Sequence, residues 1–185
     1  MGIAIIGWGS LIWDPQGLDI ENEWHTDGPI LPVEFARVSR GNRLTLVLVS
    51  NVPLQPTLWT LSRKPTLSEA VRDLAKREST AEYNVGRWPH TNEHVGSQAD
   101  ILMRIAPWAR ERKLDAIVWT ALGPKKPSGE NGLATDEELT NYLRALVKHG
   151  DDAAAKEYVE KAPTQIKTPL RARIRRELGW KQMGE

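Results

Sequence analysis

The chain contains no cysteine, which excludes disulfides, thiolate nucleophiles and cysteine-based metal sites. It has no appreciable excess of either charge: 25 Lys and Arg against 24 Asp and Glu leave a net charge of +1. Nothing global therefore draws it toward nucleic acid or an anionic membrane. No apolar run approaches the roughly 20 residues of a membrane-spanning helix. The N-terminus lacks the basic start and cleavage site of a signal peptide, so a cytoplasmic location is the expectation. Phenylalanine is nearly absent, with one residue against eight tryptophans. Wide indole surfaces line pockets as well as cores, and most of the eight are expected to pack the interior.

What is present is ordinary globular material. A length of 185 residues, with 40% hydrophobic and 26% charged residues, fits one domain with a proper core. The expectation is a single domain over residues 1–185, in which 163–185 form a basic C-terminal extension. No repeats or low-complexity blocks occur.

The apolar run Ile3–Gly7 predicts a central strand, and GWGSLIW follows it as a tight loop. Further strands are predicted at about Val33–Val38, Arg43–Ser50, Thr57–Leu61, Asp100–Ile105 and Asp115–Leu122. Residues 79–97 are polar and broken by Gly86, Pro89 and Gly96, which predicts a working loop. Thr66 with Glu69, and Thr135 with Glu138, have capping-box spacing and open two predicted helices. Gly150 stops the second, another helix is predicted over Asp152–Ala162, and the tail from Pro169 is basic. Strands precede the late helices and have short turns between neighbours, so the fold class is α+β with a mixed or largely antiparallel sheet.

Glu78 stands out. Leu67, Ala70, Val71, Leu74 and Ala75 form the apolar stripe of the first helix. At 100° per residue Glu78 falls roughly 20° from Leu67, on that same stripe, while Arg72, Asp73, Lys76 and Arg77 are expected to point elsewhere. A carboxylate set against apolar surface holds its proton more tightly, which suits a general acid/base near neutral pH. The plainer alternative is a helix-end carboxylate turned outward or paired with a nearby arginine.

Other motifs leave alternatives open. GWGSLIW matches neither the dinucleotide fingerprint, because Ile12 replaces the third glycine, nor the nucleophile elbow, because Trp8 replaces the first. The N–H groups of Gly9, Ser10 and Leu11 would suit an anion such as a carboxylate, or the segment is a plain tight turn. His90-Thr-Asn-Glu93-His94 has the H-x-x-E-H pattern of inverted zinc peptidases. Pro89 and Gly96 leave little room for the helix that such a site needs. The basic tail, with Arg171, Arg173, Arg175, Arg176 and Lys181, reads as a solvated helix rather than a phosphate-binding stripe.

Taken together, GWGSLIWDP, VEFARVSRGN, DLAKRESTAEYNV and, more loosely, the stretch from ATDEELTNYL to AKEYVEKA resemble segments of the γ-glutamylcyclotransferase superfamily. The likeness is closest to its ChaC-like, glutathione-specific branch, and it spans roughly residues 3–162. The resemblance implies a small, closed or nearly closed barrel-like sheet with flanking helices. It implies cyclisation of a γ-glutamyl peptide or amine to 5-oxoproline without metal or organic cofactor, on a small-molecule substrate and with no nucleic-acid or membrane partner. Glu78 would be the catalytic acid/base. Trp8, Gly9, Ser10 and Leu11 would form the binding loop, with Arg37, Arg40 and Tyr83 as further substrate contacts. The family usually carries tyrosine where this chain has Trp8, and a glycine beside the tyrosine that Tyr83 would match. A non-catalytic protein that binds a small carboxylate on the same fold is the competing expectation.

Overall fold

Ile3–Gly7 is buried along its whole length, as an apolar run without alternation requires. In the computed structural model, which describes residues 2–89 and 99–183, this run is strand β1. The elements that follow are β2 (Ile30–Leu31), β3 (Val33–Val38), β4 (Leu44–Leu48), β5 (Gln55–Pro56), β6 (Leu58–Ser62), α1 (Leu67–Arg77), β7 (Val85–Trp88), α2 (Ala99–Glu111), β8 (Ala116–Thr120), α3 (Asp136–His149), α4 (Ala153–Lys161) and α5 (Pro169–Leu178). Single 3-10 turns occupy Arg40–Asn42 and Glu82–Asn84. By contacts the chain divides into two compact units. The first comprises Met1–Gly7, Asp14–Leu31 and Pro56–Ala121; the second comprises Trp8–Trp13, Pro32–Gln55 and Leu122–Glu185.

The first unit is built on a four-stranded mixed sheet in the order β6-β1-β8-β7. β1 runs parallel to β8 and antiparallel to β6, and β7 pairs antiparallel with β8. The sheet is therefore mixed, as expected, but it is not the closed or nearly closed barrel that the resemblance implies. It ends in β6 on one side and in the four-residue β7 on the other. The outer edge of β6 is met by isolated bridges from Ile20 to Ser62 and from His25 to Trp59, which cover an edge that would otherwise invite pairing.

Two expectations fail in this unit for local reasons. Asp100–Ile105 is helical, not a strand. Its buried residues Ile101, Ile105, Trp108 and Ala109 recur at offsets 0, 4, 7 and 8, a period that appears only when the window extends past Pro107. Val85–Trp88 is a strand inside the segment expected to be loop. Gly86 is no breaker there: it lies opposite Trp119 in the β7–β8 register, and a Cβ on it would fall 2.0 Å from Cε2 of that indole. Glycine admits the ring where any side chain would displace it. Two other tryptophans of the unit pack on each other. Trp59 and Trp108 meet edge to face at 5.5 Å between ring centroids. Both donate to Asp27, Trp59 to the carboxylate and Trp108 to the carbonyl.

In the second unit β3 and β4 pair antiparallel, with a register shift between Phe35 and Arg37. The chain reverses between them through Gly41, whose φ of 70° lies in the left-handed region that glycine enters freely. α4 packs on β4, and α5 packs on β3 and α3. Leu139, Leu143, Ile166, Leu170 and Ile174 are all fully buried between these elements. The α3 capping box forms as predicted, with Thr135 and Glu138 bonded reciprocally and Gly150 closing the far end in the left-handed conformation.

The basic tail is not simply a solvated stripe. Arg171 is buried, and its guanidinium donates to the carbonyls of Val159, Ala162, Pro163 and Ile166 at 2.7–2.9 Å. It satisfies acceptors that the end of α4 leaves open. Glu34 is the buried acid of this unit. Its carboxylate accepts from Phe35 N–H at 2.7 Å and from Leu170 N–H, at the start of α5, at 3.4 Å. Burial pushes its carboxyl above the ordinary 4.5, against the opposing hydrogen bonds from Thr168, Phe35 and Leu170.

Candidate functional site

Thr66 caps α1, its hydroxyl accepting from Glu69 N–H at 3.3 Å. The Glu69 carboxylate bonds the Thr66 hydroxyl at 2.5 Å, so only half of the predicted box is in place. The buried face of the helix is Ala70, Val71, Leu74 and Ala75, the predicted stripe. Glu78 follows as the C-cap with helical dihedrals, and its N–H donates to Leu74 at 2.9 Å. It thus keeps the azimuth expected of it, and its side chain is 15% exposed.

Arg77 does not point elsewhere. Its side chain is 8% exposed, and Nη1 donates to Glu78 Oε1 at 2.7 Å while Nη2 donates to the Asp14 carbonyl at 2.6 Å. Arg77 is the last residue of α1 and Glu78 its C-cap, and the long guanidinium arm reaches across to the neighbouring carboxylate. The carboxylate on the apolar stripe is consequently ion-paired.

Beyond Glu78 the chain returns to the sheet through a short hydrogen-bonded relay. Thr80 N–H donates to Ala75, Asn84 Nδ2 donates to the Thr80 hydroxyl at 2.8 Å, and Ala121 N–H donates to the Asn84 carbonyl at 2.8 Å. This ties the end of α1 to the carboxyl end of β8. Two side chains at that end hold buried polar atoms with no hydrogen-bond partner among the described residues, Trp119 Nε1 and Thr120 Oγ1. The Trp119 ring is fixed by its packing on Gly86. Tyr83, expected as a substrate contact, lies in the Glu82–Asn84 turn and is 82% exposed.

The second unit carries the glycine-serine loop. Trp8 is buried and its indole N–H donates to the Leu46 carbonyl at 3.2 Å. Ile12 N–H donates to the Gly9 carbonyl at 3.1 Å and closes the turn. Among the described residues neither the Gly9 nor the Leu11 N–H donates to a main-chain carbonyl in a turn or loop; unused main-chain donors of this kind are what an anion-binding loop employs. Ser10 is half-buried and Leu11 buried. Tyr158 of α4 comes so close that a Cβ on Gly9 would fall 2.2 Å from its hydroxyl oxygen.

Tyr158 is itself buried, edge to face with Trp13 at 5.2 Å and with Phe35 at 6.3 Å between ring centroids. Sequence reasoning gave it no role, although Ala155, Tyr158 and Val159 share the buried face of α4 and that spacing marks it as inward. Arg37, at the end of β3, donates to the Gly123 carbonyl at 2.8 Å. Arg40 begins the 3-10 turn at Arg40–Asn42 and is exposed.

The pattern His90 to His94 lies outside the described residues. Among the described residues no group of three or more His, Asp or Glu side chains is placed to hold a metal ion, and no helix is long and apolar enough to cross a membrane. No protein-family model matches the chain, and neither a curated protein nor a solved structure matches it.

Proposed function

We propose that this chain is a γ-glutamylcyclotransferase-like enzyme that cyclises a γ-glutamyl peptide or amine to 5-oxoproline. The free α-amine of the glutamyl group attacks its own γ-carbonyl. A C–N bond forms within the five-membered ring, the bond to the attached amine breaks, and that amine leaves with one added proton. Glu78 takes the proton from the attacking nitrogen and returns one to the departing nitrogen. Because both reacting groups belong to one molecule, holding it coiled supplies much of the acceleration. Trp8, Gly9, Ser10 and Leu11 are assigned to the substrate's α-carboxylate or to the polarised carbonyl, through main-chain N–H groups. Arg37, Arg40 and Tyr83 are secondary substrate contacts in this proposal.

The observation that carries the proposal is Glu78 itself, a carboxylate on the apolar stripe of α1 with only 15% of its side chain exposed. The test is direct. The purified protein is incubated with glutathione and with a panel of γ-glutamyl amines, and 5-oxoproline is measured. Glu78→Gln is expected to lose product formation by at least two orders of magnitude while its circular dichroism and Tm stay near those of the parent. An active Glu78→Gln protein removes the assignment.

One observation favours a second reading, a protein that binds a small carboxylate without turning it over. The Arg77 guanidinium already engages the Glu78 carboxylate, and a helix-end pair of this kind also serves structure alone. Stabilisation by glutamate or 5-oxoproline, with no product from any γ-glutamyl compound, would select this reading.

A further inference from the structure

Thr120 ends the central strand β8 with a hydroxyl that is buried and has no partner among the described residues. A hydroxyl in that state costs stability without return in the free protein. Its place in the sheet is not arbitrary. β1 and β8 are the parallel pair, and Thr120 is at the carboxyl end of its strand, the end at which open sheets with parallel strands take their ligands. Val85, which opens β7, is its register partner. The relay through Ala121, Asn84 and Thr80 ties the same point to the turn that follows Glu78. The carboxyl end of β8, with its buried and unpartnered hydroxyl, is therefore tied by hydrogen bonds to the turn that follows Glu78.

We infer that the Thr120 hydroxyl is a substrate contact, hydrogen-bonded to the α-amino group of the glutamyl moiety and positioning it for Glu78. The inference rests on the assignment of Glu78 as the reacting carboxylate. The hydroxyl accepts an N–H of the amine through one lone pair, and its own O–H remains available as a donor. The ligand class is thus a small molecule with a free amine next to a carboxylate, not an N-acylated one.

Thr120→Val keeps the branched shape and deletes the hydroxyl; Thr120→Ser keeps the hydroxyl. Thr120→Val is expected to match or exceed the parent in Tm, because it removes an unsatisfied polar atom. Its KM for γ-glutamyl compounds is expected to rise about tenfold, the scale of one lost hydrogen bond, and Thr120→Ser is expected to recover most of that loss. A lower Tm for Thr120→Val would make the hydroxyl a structural group and overturn the inference, as would an unchanged KM.

If the parent protein makes no 5-oxoproline from any γ-glutamyl compound, the enzymatic proposal fails and Thr120 is judged by binding. The Tm rise given by L-glutamate or a γ-glutamyl amine should then vanish in Thr120→Val and persist in Thr120→Ser. An equal rise in parent and Thr120→Val, or no rise in the parent, sinks the inference as well.

Discussion

A single missing Cβ decides how the β7 edge is made. Gly86 sits beneath the Trp119 indole at a separation no side chain can share, and Trp119 is fully buried. Gly86→Ala must therefore displace a large ring in the middle of the first unit's sheet. Overpacking of this kind typically costs about 1–3 kcal/mol, readable as a lower denaturant midpoint with little change in slope. An unchanged midpoint would mean that the ring yields freely.

The residue scale is also where sequence reasoning reached furthest and missed most. The azimuth of Glu78 followed from helical periodicity alone and agrees with its 15% exposure. The partnership with Arg77 did not follow, because periodicity places side chains on a cylinder and says nothing of a residue that curls over its end. Tyr158 had a readable inward spacing, but its approach to Gly9 joins positions far apart in the chain. No local pattern encodes such a contact.

At the scale of elements, helices announced by caps were legible. Thr135 accepts from Glu138 N–H at 3.1 Å and Glu138 returns a bond to Thr135 N–H at 2.7 Å. Replacing Thr135 with Ala removes one half of that exchange and should cost about 1 kcal/mol, measured by thermal or chemical unfolding. A loss within error would show that Glu138 alone holds the end. α2 has no such announcement in the described residues, and its opening six residues suit strand or helix equally well. Only the apolar recurrence through Trp108 settles it. β7 was hidden for the opposite reason, being four residues long with a glycine inside, too short for alternation to register.

For the whole molecule the accessible observable is stability against pH. Hydrogen bonds hold three carboxyls below their ordinary range: Asp27 through Arg112, Glu138 through Thr135 and Glu177 through Arg173. Whatever these groups contribute is present above their unfolded values and lost as pH falls through the folded ones. Glu34 works in the other direction. Its folded value is raised by burial, so its contribution is complete below the unfolded value and lost as pH rises through the folded one.

Glu34→Gln cannot titrate. The Tm of this variant should therefore gain on the parent as pH climbs from about 4.5 toward neutrality. A constant difference between the two proteins across that window would remove Glu34 as a source of pH dependence.

The placing of β1 next to β8 bears on how the protein is made. Ile3 leaves the ribosome well before its parallel neighbour Ala116 is synthesised. Until then this wholly apolar strand has β6 but not β8 to pair with. Pairings so distant in sequence slow folding and expose sticky edges while they wait. Nascent chains arrested before Ala116 should be captured by chaperones and cleaved readily by protease, and release should follow once β8 has emerged.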